Sequence, residues 1–214
     1  MEPQRAAEEL KIIRQLMERP VRYSTMSGLS GILAGCVTLA GLATDALIYA
    51  HTAPESVMWV NIVVWATIFT LALAGTLGLT RWREIRQGMP FWSPIKRKIL
   101  MILLPPFIAG AGLTSILVFR GLHGAPYAAY QLGLIAPLWM LFYGVACWQI
   151  GELSISEIRV LGAAFVVFGL ICAAVFQSSI FGMFRGLAYY LTLGVSFGGF
   201  HILYGLWVWR KYGG

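Results

Sequence analysis

Six long apolar runs are the feature that most constrains the fold of this chain. Each has at least about 18 residues, the length that a helix needs to cross the hydrocarbon core of a bilayer. Only 12% of the residues are charged, against about 25% in soluble proteins. We therefore predict an all-α, polytopic membrane protein with six transmembrane helices. These spans 1 to 6 are predicted at residues 25–50, 57–80, 99–119, 127–150, 158–177 and 186–209.

The positions of the basic residues predict the orientation of the spans. The net charge is +7, and the chain has sixteen Lys and Arg residues. All but Arg120 and Arg185 lie before span 1, between spans 2 and 3, at the start of span 5, or after span 6. Loops rich in Lys and Arg stay in the cytoplasm, so both termini are predicted to be cytoplasmic. Because the positive charge lies at membrane edges, we expect no nucleic-acid partner.

The densest positive charge lies between spans 2 and 3, in the segment RWREIRQGMPFWSPIKRK at residues 81–98. Trp82 and Trp92 stand among these cations and predict anchoring at the membrane interface. The basic side chains are then expected to contact anionic lipid headgroups of the inner leaflet. They are Arg81, Arg83, Arg86, Lys96, Arg97 and Lys98.

Residues 1–24 are predicted to form a short cytoplasmic amphipathic helix ahead of a single transmembrane domain at residues 25–210. Ala6, Leu10, Ile13 and Met17 recur at helical spacing, and the helix should end before Pro20. Such a helix can lie on the inner leaflet or contact a protein partner.

Small residues recur at helical spacing on one face of span 1 and one face of span 6. Small side chains let helix backbones approach closely in lipid, where packing drives association. We therefore predict that the two faces pack together in the half of the membrane nearest the basic side. The residues are Gly28, Gly31 and Gly35 in span 1, and Gly194, Gly198 and Gly205 in span 6.

His201 lies between two of these glycines in span 6, with Tyr204 beside it. A charged imidazole is costly inside a membrane, so we predict a neutral ring. Its expected hydrogen-bond partner is a backbone carbonyl or the hydroxyl of Ser27 or Ser30. A role as a ligand or proton carrier is the alternative.

Two further polar residues, Asp45 and Asn61, mark the opposite half of the bundle. Asp45 is predicted near the outer interface, solvated or capping the hairpin between spans 1 and 2, because an interfacial Asp is cheaper than a buried one. Asn61 can hydrogen-bond across to span 1, and the alternative is that the two form an intramembrane polar site. At the start of span 5, Ser154 and Glu157 have the spacing of a capping box.

Motifs of enzymes are missing from the sequence. It contains no phosphate-binding glycine loop, HExxH or GxSxG. Its cysteines lie within spans without metal-binding spacing. His51 and His123 could join Asp45 and Glu55 in a metal site on the outer side, but spacing cannot show that they meet. No catalytic residue, metal or cofactor is therefore predicted.

Several short segments resemble a bacterial family of small, uncharacterised six-span inner-membrane proteins. They are Arg22-Tyr-Ser-Thr-Met-Ser-Gly-Leu-Ser-Gly31, Trp92-Ser93, Phe142-Tyr-Gly144, Ser156-Glu-Ile-Arg159, His201-Ile-Leu-Tyr-Gly205 and Lys211-Tyr212. The resemblance implies a multi-pass protein of the bacterial inner membrane. Genes of that family often lie beside winged-helix transcriptional regulators, and the family supplies no activity, cofactor or catalytic residue.

Three functions are compatible with these patterns. We favour a non-catalytic accessory, regulatory or sensory subunit that acts through protein partners or as a homo-oligomer. The first alternative is a small transporter or channel, with its site where Pro105-Pro106 and Pro137 break their helices. The second is a lipid-, quinone- or pigment-binding subunit of a redox or photosynthetic complex, compatible with 14% aromatic residues.

Overall fold

The computed structural model describes residues 28–52, 56–124, 128–175 and 185–213. The predicted helix at residues 1–24 and the predicted hydrogen-bond partner Ser27 lie outside these residues. Every regular element of the described chain is helical. Six helices are long and apolar enough to cross a membrane, which confirms the predicted all-helical, multi-pass architecture. They run from Gly28–Tyr49, Val57–Arg86, Pro94–Leu122, Gln131–Ile150, Ser156–Val175 and Ala188–Tyr212.

Spans 2 and 3 extend further into the basic segment than hydropathy predicts. The helix of span 2 continues to Arg86, and that of span 3 begins at Pro94. Charged side chains end an apolar run but leave the backbone hydrogen bonds of a helix intact. Pro94 suits the first helical position because its missing N–H would have no partner there. Ser93 precedes it as the N-cap and accepts a bond from the Lys96 backbone N–H at 3.4 Å.

The prolines affect spans 3 and 4 differently. Span 3 is a continuous helix from Pro94 to Leu122, and Pro105 lies on its exposed face. In span 4, a short helix Ala128–Gly133 is followed by a second helix Ile135–Ile150. Pro137 therefore lies in the first turn of that helix, where a missing N–H breaks no helical bond. Span 4 is therefore interrupted at Leu134, within one turn of Pro137 and close to the predicted break.

Span 6 is irregular in its middle. It consists of a helix Arg185–Leu193, a π-helical segment Gly194–Phe200 and a helix His201–Tyr212. A π-helix bonds each N–H to the carbonyl five residues earlier, so it has more residues per turn than an α-helix. The helix after this segment is consequently rotated, relative to the helix before it, from the position that a uniform α-helix would give.

Two pairs of spans pack with their backbones in close contact. In spans 1 and 6, a Cβ added to Gly205 would lie 2.6 Å from the carbonyl oxygen of Gly28. In spans 4 and 5, a Cβ added to Gly162 would lie 2.6 Å from the carbonyl oxygen of Gly144. Both distances are shorter than van der Waals contact, so glycine is required at these crossings. The second pair was not predicted from the sequence.

Spans 2 and 3 lie at the periphery of the bundle. Among their described residues only Ile68, Glu84 and Gly110 are buried. Phe69 and Phe107 are in contact across the two spans, with ring centroids 5.8 Å apart. In a membrane the rest of their apolar surface would face lipid or another protein.

Candidate functional site

His201 occupies the centre of the bundle and bonds to span 4. Its Nε2 lies 2.7 Å from the hydroxyl of Tyr143. Its Nδ1 lies 3.0 Å from the backbone carbonyl oxygen of Phe197, one turn earlier in span 6. Only 8% of His201 is exposed, so both ring nitrogens are satisfied within the protein.

These two contacts determine the tautomer of a neutral His201 ring. A carbonyl oxygen only accepts hydrogen bonds, so the proton must be on Nδ1. The Nε2 lone pair then accepts from the Tyr143 hydroxyl, which donates its proton. The Nδ1 contact agrees with the predicted bond to a backbone carbonyl, and Tyr143 takes the place of the predicted serine hydroxyls.

The His201 side chain points away from span 1, contrary to the prediction. Its backbone carbonyl faces the other way, 3.0 Å from where a Cβ on Gly31 would lie. Because the backbones of spans 1 and 6 approach so closely, no room for an imidazole remains between them. The ring instead lies among the aromatic side chains of spans 4, 5 and 6, with Phe165 at 5.4 Å between centroids. The spacing of the glycines predicted the close crossing of spans 1 and 6 but gave the wrong direction for the His201 side chain.

The glycines chosen from the sequence mostly meet one another. A Cβ on Gly31 would lie 3.0 Å from the Cα of Gly205, and one on Gly35 would lie 2.6 Å from the carbonyl oxygen of Gly198. Gly194 begins the π-helical segment, and a Cβ there would make ordinary contacts with Leu39 and Leu42. Tyr204 is buried beside Gly31, and its hydroxyl has no hydrogen-bond partner among the described residues.

We expect the Tyr143–His201 bond to contribute to stability as a coupled pair. Tyr143→Phe should lower the free energy of unfolding by about 1 kcal/mol, the typical size of a side-chain bond between membrane helices. In a His201→Phe background the same change should cost much less, because the acceptor is already gone. Chemical denaturation of the four proteins in detergent measures both values.

His201→Gln separates a packing role from a chemical one. Glutamine keeps a donor and an acceptor, so a structural His201 predicts little change in melting temperature. Loss of a measurable activity by His201→Gln at an unchanged melting temperature would instead identify His201 as a ligand or proton carrier.

A second polar cluster surrounds Asp45 at the opposite end of the bundle. The Asp45 carboxylate accepts from the hydroxyl of Tyr190 at 3.0 Å and from the amide of Asn61 at 3.3 Å. Tyr189 donates to the Asn61 side-chain oxygen at 3.5 Å, and Trp65 donates to the Tyr189 hydroxyl. The cluster therefore joins spans 1, 2 and 6 through side-chain hydrogen bonds.

Asp45 is buried, and the predicted solvated position is wrong. Only 2% of the residue is exposed. None of the ion pairs between described residues involves Asp45. Its burial results from the tyrosines at the start of span 6, which lie at the same depth in the bundle. Sequence analysis did not identify Tyr189 and Tyr190 as partners of Asp45. Both lie at the start of span 6, on the same predicted side of the membrane as Asp45, and this was the signal that could have identified them.

The six predicted headgroup contacts of the basic segment are not equivalent. Lys96 binds the carboxylate of Glu84 at 2.6 Å, and Arg81 lies 3.7 Å from the same group. Arg83 donates to the backbone carbonyls at the end of span 6, and Arg86 stacks on Trp82. Glu84 is 1% exposed, and four of the six predicted residues make contacts within the protein.

Glu157 links spans 5 and 6 at the basic end. Its carboxylate accepts from the Lys211 ammonium at 2.5 Å and from the Tyr212 hydroxyl at 3.1 Å. Only 1% of Glu157 is exposed. The sequence predicted a capping role for Glu157 and did not predict these two partners. Glu157 and the Lys211-Tyr212 pair both lie in segments that resemble the bacterial six-span family.

His51 and His123 do not form a metal site with other described residues. The Nδ1 atoms of His51 and His123 each bond a carbonyl oxygen of their own helix, Leu47 and Phe119. Three or more His, Cys, Asp or Glu side chains do not come together anywhere among the described residues.

No protein-family model, curated protein or solved structure matches this chain. The resemblance to six-span inner-membrane proteins consequently stays a prediction.

Proposed function

We propose that the protein is a non-catalytic membrane subunit with a sensory or regulatory role, acting through protein partners at its basic end. The observation that supports this proposal is the construction of span 6. Hydrogen bonds join it to a buried acid at each end, Asp45 and Glu157, and a π-helical segment lies between them.

The Asp45 cluster would be the input. A carboxylate buried in a membrane bundle without a cationic partner is costly. Protonation of Asp45, or the approach of a cation, would therefore change its bonds to Tyr190 and Asn61. Those bonds connect span 6 to spans 1 and 2, so such a change would act directly on one end of span 6.

The π-helical segment would be the element that responds. π-helical turns occur frequently at functional sites. Conversion of Gly194–Phe200 to an α-helix would shift the register of the following part by one residue, or about 100° of rotation. Gly198 and Gly199 lie in this segment, and glycine adopts the required backbone changes without a side-chain clash.

The basic end would be the output. Lys211 and Tyr212 connect the end of span 6 to Glu157 in span 5, and Arg83 connects it to span 2. A change in span 6 would alter these contacts beside the basic segment. Together with the helix predicted at residues 1–24, that segment would form the surface for a protein partner.

The proposed location is the bacterial inner membrane with both termini in the cytoplasm. The charge asymmetry supports this orientation, since Arg120 and Arg185 are the two basic residues placed on the outer side. The resemblance to bacterial six-span proteins supports the compartment. Anionic headgroups of the inner leaflet would then lie beside the basic end.

Affinity purification in mild detergent with mass spectrometry of co-purifying proteins tests the proposal. Deletion of residues 1–19 should leave an inserted bundle with an unchanged melting temperature and abolish recovery of the partner. Asp45→Asn, which removes the charge and keeps the shape, should change recovery by about fivefold or more, as coupling between two sites does. Thr44→Val is the matched control, because Thr44 is exposed and bonds only its own helix. An unchanged set of co-purifying proteins after the deletion would refute the partner role.

A small transporter is the second candidate, and the buried Asp45 is the observation that favours it. Intramembrane carboxylates occur in proton relays and ion pathways. The proline sites proposed for it from the sequence have less support, since Pro105 faces outward and the carbonyl of Pro137 lies against span 5 at Gly169. Ion and proton flux in liposomes separates the two functions. Flux that Asp45→Asn abolishes would identify a transporter.

A further inference from the structure

A groove opens on the outer surface at the basic end of the bundle. It lies between the start of span 3 and the end of span 4 and has a volume of about 860 Å³. Its walls include Trp92, Met101, Ile102 and Leu153. This volume falls within the range typical of small-molecule sites, and its lining is mostly apolar.

The rim of the groove carries positive charge that no ion pair between described residues neutralises. Arg97 and Lys98 are exposed at the rim, and neither takes part in the ion pairs between described residues. Glu152 is the acidic residue of the lining, and its carboxylate is paired with Arg159 at 2.8 Å. The neighbouring Lys96 differs, since Glu84 already binds it.

The charged part of the groove lies at the end of the bundle and the apolar part lies deeper, in the same order as the headgroup and the acyl chains of a phospholipid. Arg97 and Lys98 lie in the first turns of span 3, and Met101 and Ile102 lie one turn further into the span. Trp92 lines the groove at the interfacial end, where tryptophan is enriched in membrane proteins. A phosphate at the rim would therefore place its acyl chains along the apolar wall.

We propose that this groove binds one anionic phospholipid. Arg97 and Lys98 hold the phosphate, and an acyl chain lies along Met101 and Ile102. Two uncompensated cations favour a headgroup with net negative charge over a zwitterionic one. The site is separate from the Asp45 cluster and does not depend on the proposed sensory role.

Titration of the purified full-length protein with phosphatidylglycerol, followed by native mass spectrometry, tests this site. The double variant Arg97→Gln/Lys98→Gln should weaken phosphatidylglycerol binding about tenfold, since each basic residue near an anionic lipid contributes measurably. Binding of phosphatidylcholine should be weak and unchanged. The matched control Arg120→Gln/Arg210→Gln removes the same charge outside the groove and outside the basic segment, and should change binding less than about twofold.

A variant that fills the groove tests the acyl-chain part independently of charge. Met101→Trp should weaken phosphatidylglycerol binding at an unchanged melting temperature, because Met101 is 54% exposed. Glycerol phosphate, which has the headgroup chemistry without acyl chains, should not compete. Equal losses in the groove and control variants would overturn the proposal, because general positive charge would then explain binding. Full competition by glycerol phosphate would overturn it in favour of a site for free phosphate.

Discussion

Gly205→Leu is expected to prevent spans 1 and 6 from packing and to abolish the folded bundle. A Cβ at Gly205 would lie 2.5 Å from the backbone nitrogen of Ile32 and 2.6 Å from the carbonyl oxygen of Gly28. Both obstacles are helix backbone, so no side-chain rotation can relieve them and the two helices must separate. We expect a loss of about 3 kcal/mol or more. Thermal unfolding in detergent, together with the yield of monodisperse protein, measures this loss.

Gly112→Leu is the matched control. A Cβ at Gly112 in span 3 would meet nothing within 4 Å, so the same substitution adds side chain to open space. Its melting temperature should equal that of the unaltered protein. Equal destabilisation by the two variants would show that loss of glycine itself, and not the crossing of spans 1 and 6, causes the effect.

Phe165→Ala is expected to have the second-largest effect. Phe165 is 0% exposed, and its ring contacts those of Tyr143, Phe197 and Phe200 at 4.9, 5.0 and 5.5 Å between centroids. Truncation leaves a cavity whose lining loses dispersion contacts that lipid cannot replace. We expect a loss of about 3 kcal/mol, the lower end for such truncations. Reversible denaturation in mixed micelles measures it.

Phe119→Ala provides the comparison for Phe165→Ala. Phe119 lies in span 3 and is 61% exposed, so its truncation leaves no enclosed cavity. We expect a loss of less than about 0.5 kcal/mol. Similar losses at the two positions would contradict a packed aromatic centre around His201.

The two close helix crossings show which packing contacts of a membrane bundle can be predicted from residue spacing. Packing in lipid depends on how closely backbones can approach, and glycine spacing reports that property directly. The faces of spans 1 and 6 could therefore be chosen from the sequence. Gly144 and Gly162 form an equally close crossing, and Gly151 and Gly169, seven residues further along each helix, also face the partner span. With two glycines seven residues apart in each span, the pattern is sparser than the glycine spacing of spans 1 and 6, and that crossing was not recognised.

The direction of His201 depended on information that helical spacing does not contain. The spacing rule treats span 6 as a uniform α-helix, whereas Gly194–Phe200 is π-helical. The close contact with span 1 then turned the imidazole toward Tyr143 in span 4. Asp45 similarly could not be placed, because its burial depends on Tyr190, 145 residues away in the chain.

Hydropathy and charge along the chain determined the all-helical class, the six segments able to cross a membrane and the position of the basic segment. These properties are local, because a helix in lipid satisfies its backbone hydrogen bonds within its own segment. Tertiary structure alone decided which polar side chains meet. Pairs such as Glu157 with Lys211 or Tyr143 with His201 lie 54 and 58 residues apart. Their contact follows from how the helices pack and rotate, which no single segment encodes.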